Sequence, residues 1–94
     1  MTLKQQAVLK QVIEAVDGIA AELSKADSEL IANRSTLEAF RVQLVKISKE
    51  IETDSIPSKK GRRSSMGRVI VDSWPLAHPL GEKIVTAEQA YLGF

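Results

Sequence analysis

Residues 9–51 read LKQVIEAVDGIAAELSKADSELIANRSTLEAFRVQLVKISKEI, and the architecture turns on whether this stretch is one helix or two. A count by sevens from Leu9 meets Leu9, Val16, Leu23, Leu30, Leu37, Leu44 and Ile51, all large aliphatics. A count from Val12 meets Val12, Ile19, Ala26, Asn33, Phe40 and Ile47, with Asn33 the one polar member. The two series alternate at spacings of three and four, the a/d pattern of a coiled coil, and a 3.5-residue repeat implies a left-handed supercoil. Starting one residue later, from Ile13, the series turns polar after Ala20 at Asp27, Arg34, Arg41 and Ser48, so the register is well defined.

The pattern predicts an all-α chain led by one coiled-coil helix over about residues 2–54, about 78 Å long at 1.5 Å per residue. Gly18 falls at an outward c position, where it costs about 1 kcal/mol of helix propensity. Val8 and Ala15 at g and Ile13 and Ala20 at e widen the apolar stripe of the first three heptads. The competing reading is a helical hairpin that turns near residues 27–36, where Ser35-Thr36-Leu37-Glu38 matches a capping box. Residues 19–56 contain neither Gly nor Pro, and the heptad phase runs through the supposed turn, so the single helix is preferred. A helix of that length leaves its ridge bare, so the reading requires self-association through the thirteen a and d residues, Leu9 to Ile51.

Outward from the ridge the composition changes. Residues 1–54 hold seven basic and nine acidic residues; residues 55–70 hold Lys59, Lys60, Arg62, Arg63 and Arg68 and no acid. Residues 55–68 therefore read as a flexible basic linker, either a solvated connector or a contact for nucleic-acid phosphates through those five cations. Residues 68–74 (RVIVDSW) are β-branched and broken by Pro75, which reads as a short strand. Residues 75–81 read as extended chain, residues 82–85 as loop, and Thr86-Ala-Glu-Gln89 as the capping box of a terminal helical turn. Residues 69–94 thus form a largely extended docking arm. Val69, Val71, Trp74, Leu76, Leu80, Tyr91, Leu92 and Phe94 are its expected partner contacts, since Trp and Tyr are enriched at binding hot spots.

Composition bounds the chemistry. With no cysteine there is no disulfide framework or thiolate nucleophile, and the lone His78 rules out a two-histidine metal motif. No apolar run approaches the roughly 18 residues of a membrane span, and the first residues lack a secretory signal, so a cytoplasmic or virion location is expected. No phosphate loop or carboxylate pair appears, and His78 reads as an ordinary loop residue. The chain is therefore expected to be non-enzymatic and without cofactor. It would be a structural or adaptor protein that self-associates through the coil and docks a protein partner through the arm, as small phage-particle or secretion-machine components do. The alternatives are a small oligomeric nucleic-acid-binding or regulatory protein using the basic linker, and a compact helical-hairpin inhibitor or chaperone.

Overall fold

The computed structural model describes residues 1–75 and 77–94. Thr2 opens the first helix, α1 (Leu3–Leu23), with a reciprocal cap: its hydroxyl accepts from the Gln5 N–H, and the Gln5 side chain accepts from the Thr2 N–H. The helix ends at Ser24, where the run Ser24-Lys-Ala-Asp-Ser-Glu29 supplies three short polar side chains that favour turns over helix interior. A 3-10 turn (Asp27–Glu29) follows, and Asn33 then caps α2 (Arg34–Glu52) by accepting from the Thr36 N–H. The expected single helix over about residues 2–54 is thereby corrected to two helices joined by a ten-residue turn, 24–33. The cap is Asn33 rather than Ser35, so the capping box at Ser35 and Glu38 does not form.

Charged groups from both helices close this turn. Glu22, buried at the end of α1, accepts from the Ile31 N–H at 2.9 Å and from Lys25 Nζ at 3.0 Å. Arg34, the first residue of α2, donates to Leu23 O and Lys25 O at 3.0 and 3.3 Å, and to Asp27 Oδ1 at 2.6 Å. The last carbonyl of α1, that of Leu23, is thus satisfied by the next helix, while Ser24 and Lys25 donate to those of Ala21 and Glu22.

The C-terminal third is helical where a strand and an extended arm are predicted. Residues 66–73 form α3 (Met66–Ser73), and His78 and Pro79 open α4 (Pro79–Gly93) with Pro at the first helical position. Met66, Ile70 and Trp74 recur every fourth residue and are all buried, a helical spacing that outweighs the strand propensity of Val69-Ile70-Val71. On α4 the buried positions are Leu80, Gly81, Ile84, Ala87, Glu88 and Tyr91, so the segment expected as loop (82–85) and single turn is one helix of 15 residues. Among the described residues no strand forms, and no helix is long and apolar enough to cross a membrane.

One core unites the four helices. α2 contributes Leu37, Phe40, Leu44, Ile47 and Ile51, the a and d positions of its heptads. α1 contributes Val8, Val12, Ala15 and Ile19, a face rotated from a/d towards g and d, because α1 packs against α4 as well as α2. Gly18 is not outward: a Cβ there would lie 2.8 Å from Leu80 Cδ1, so it marks the close approach of α1 to α4. Of the wide stripe, the g residues are buried and the e residues Ile13 and Ala20 are exposed. α3 packs on α4, and Trp74 reaches α2 by stacking on Phe40 with ring centroids 6.1 Å apart. The radius of gyration is 13.1 Å, close to the roughly 12 Å of a packed chain of this length.

Candidate functional site

The residues named from sequence scatter in three ways. Of the ridge, Val12, Ile19, Leu37, Phe40, Leu44, Ile47 and Ile51 are buried within the chain. Leu9, Val16, Leu23 and Leu30 pack partly buried against the same core, and Ala26 and Asn33 lie exposed in the turn. Of the arm, Trp74, Leu80 and Tyr91 are buried, while Leu92 and Phe94 pack partly buried against the core. Val69 and Val71 are exposed, Val71 at 78%, and Leu76 lies outside the described residues. Val71 edges a groove of about 550 Å³ between α3 and α4 that Trp74, Val85, His78 and Glu82 also line. His78 is the N-cap of α4, its Nδ1 accepting from the Leu80 N–H at 3.2 Å.

The cations come together. Because α2 turns its a/d face inward, Arg41, Val42, Lys46 and Lys49 stand on its solvent side, with Val42 67% exposed. The three basic residues share a groove of about 470 Å³ with Val42, Val45, Thr53 and the carboxylate of Glu50. Beyond Thr53 the chain reverses at Asp54, whose φ of 54° is left-handed, and Ile56 anchors it against the core. It then runs back along α2: the 3-10 turn Lys59–Gly61 follows, and Ser64 receives the Gln43 side-chain amide at 3.1 Å. This return places Arg63 beside Lys46, where both line a depression of about 250 Å³ with Gln43, Glu50, Gly61 and Tyr91. Lys59, Lys60 and Arg63 are exposed on the same loop.

Two carboxylates and a tyrosine brace the loop from behind. Glu88 of α4, buried to 6% exposure, accepts from the Gly67 N–H at 3.1 and 3.2 Å and from the Ser64 hydroxyl. It caps the first turn of α3, whose own N-cap Ser65 makes no side-chain bond. Tyr91 donates its hydroxyl to Glu50 at 2.8 Å; burial, that hydrogen bond and the Glu50 charge push its ionisation up to about 12.

Arg62, expected among the anion contacts, is turned inward and occupied by backbone oxygens. Arg68 stands exposed on α3, and like Lys59 and Lys60 it does not line the depressions that hold Arg41, Lys46, Lys49 and Arg63. Arg41, Lys46 and Lys49 were not singled out from sequence, because a zone of net negative charge hid them. Their positions on the outer side of a heptad helix were readable; that the linker folds back beside them was not. Only two ion pairs form among the described residues, Lys25–Glu22 and Arg34–Asp27, and neither involves these cations. Among the described residues no three Asp, Glu or His side chains converge as metal ligands would. No family model matches the chain, and no curated protein matches it.

Proposed function

We propose that this chain is a non-enzymatic binding protein that holds nucleic acid by its phosphate backbone, across the face formed by α2 and the 55–65 loop. The observation that carries the reading is that Arg41, Lys46 and Lys49 of α2 meet Arg63 of the returning loop, on which Lys59 and Lys60 stand exposed; among the described residues none of the six forms an ion pair, and Glu50 is the one carboxylate lining the two depressions. Unpaired surface cations gain most when they meet phosphates and release condensed counterions. Trp74 and Tyr91 are buried, which leaves no exposed Trp or Tyr ring among the described residues on which a base could stack. Binding is therefore phosphate contact, tolerant of sequence and steep in salt.

The adaptor reading rested on a ridge with nothing to cover it. With Leu37, Leu44 and Ile51 covered inside the chain, charge rather than the ridge is the better-supported basis for binding. The inhibitor or chaperone reading shares the α1–α2 hairpin, and the geometry adds no observation for it. The test is fluorescence anisotropy of a labelled short duplex titrated with the protein between about 50 and 200 mM salt. If all six cations reach phosphates, log affinity falls against log salt with a slope of about −5. Replacing Lys46 and Lys49 by Ala flattens that slope by about 2, as does replacing Lys59 and Lys60. Absence of binding at low salt, or a variant with all four lysines replaced that binds as well as the parent, overturns the proposal.

A further inference from the structure

We infer that Arg62 is the positioning residue of this cationic face: it locks the loop carrying Lys59, Lys60 and Arg63 onto the end of α4 and does not itself meet the ligand. The ligand side of the inference rests on the nucleic-acid reading; the locking of the loop does not.

Arg62 differs from its basic neighbours in everything it touches. Its Nε donates to Pro57 O at 2.9 Å, and its Nη1 donates to Tyr91 O at 2.8 Å and Phe94 O at 2.7 Å. The guanidinium also lies over both rings at that end, 4.8 Å from the Phe94 centroid and 5.6 Å from the Tyr91 centroid. α4 has no basic residue in its last turn, so the cation that its negative dipole end and free carbonyls favour comes from the loop instead. Arg62 is half-buried, whereas Lys59, Lys60 and Arg63 are exposed.

The same contacts set the loop. The bond to Pro57 closes Arg62 onto the residue that precedes the cap of the 3-10 turn, which also has the bonds Gly61 N–H to Ser58 O and Arg62 N–H to Lys59 O. On the far side Ser64 is tied to Glu88 and Gln43. The three exposed cations are therefore spaced by anchors that face away from them. Lysine cannot replace the anchor, since one ammonium lacks the planar fork that serves three backbone oxygens and stacks on two rings.

Amide hydrogen exchange and duplex binding, measured on Arg62→Ala and Arg62→Lys, test this. Both variants are expected to speed exchange at the Gly61 and residue-62 amides by about tenfold or more without any ligand present. Both are expected to weaken duplex binding several-fold while Trp74 fluorescence reports α3 still docked. A phosphate-contacting arginine predicts the opposite split: Arg62→Lys binds like the parent, and Arg62→Ala flattens the salt slope by about 1. Unchanged loop exchange in Arg62→Ala overturns the inference. Should the Arg62 variants fail to fold, Phe94→Ala, which leaves the loop sequence intact, is expected to accelerate the same two amides, and no acceleration there overturns it as well. If the parent binds no nucleic acid, the exchange result still decides the locking, and only the proposed function falls.

Discussion

Glu88 is a carboxylate taken almost wholly out of water, and it is tolerable there because the Gly67 N–H and the Ser64 hydroxyl both donate to it. Gly67 makes room for it: a Cβ would stand 2.7 Å from Glu88 Oε1. Gly67→Ala is expected to displace the carboxylate and, after the helix propensity that Ala gains, cost about 1 kcal/mol, read as a lower denaturation midpoint by Trp74 fluorescence; a raised midpoint contradicts the cap. Tyr91 offers a cleaner readout, as it is the one tyrosine in the chain. Its ionisation is raised from 10.0 to about 12, so its contribution to stability is complete below pH 10 and disappears as pH rises through 12. Absorbance of the phenolate in the folded protein should therefore rise late, near pH 12, and a midpoint near 10 would show that the ring is not buried against Glu50. At Glu22 burial pushes the carboxyl up, but the Ile31 N–H and Lys25 outweigh it and hold it below 4.5. Its stabilisation is present above pH 4.5 and fades as pH falls through that lowered value.

Between elements, the turn that joins α1 to α2 decides the topology. Arg34 serves two carbonyls and a carboxylate at once, and the Asp27 partner is largely exposed, so the carbonyl bonds matter more than the ion pair. Arg34→Ala is expected to lower stability by about 1–2 kcal/mol, and Asp27→Ala by less than about 1 kcal/mol; thermal melts that reverse this order refute the assignment. The heptad gave no warning of the turn. A hairpin of two amphipathic helices needs the same three-and-four spacing in each arm as a coiled coil needs along one, so a phase that continues through 24–33 is compatible with either. The discriminating signals were small. Asn33 in the ridge is a good N-cap, and Ser24, Asp27 and Ser28 compete with helix through their own side chains. In α3 the misreading had the opposite cause: three β-branched residues in a row dominate local propensity, while the four-residue spacing of Met66, Ile70 and Trp74 spans just two turns. A helix of eight residues is unstable alone and exists here because α4 covers it and Trp74 at its end stacks on Phe40.

At the scale of the molecule, extents of 40 × 23 × 20 Å replace the rod of about 78 Å. Small-angle scattering of the monomer should give a radius of gyration close to 13.1 Å, and a value set by the rod would refute the fold. Charge is distributed as unevenly in space as along the chain: residues 34–70 hold nine basic and four acidic residues, whereas α1 and α4 lie on the acidic side of the balance. On the proposed reading, this polarity orients a polyanion towards α2 before any contact forms.

Periodicity alone already determined which side chains of α2 face inward, and every one of its a and d positions from Leu37 to Ile51 is buried. That is a local property: the 3.6-residue turn places i, i+3 and i+4 on one face whatever lies opposite. What lies opposite is not local. α1 packs along the ridge and Trp74 stacks on its Phe40, while Gly18 against Leu80 sets how closely α1 and α4 approach each other. The same holds for the cations. Lys59, Lys60 and Arg63 could be named as free charges from composition, but Arg62 is withdrawn from that set by oxygens 29 and 32 residues away, and no spacing rule encodes contacts of that separation.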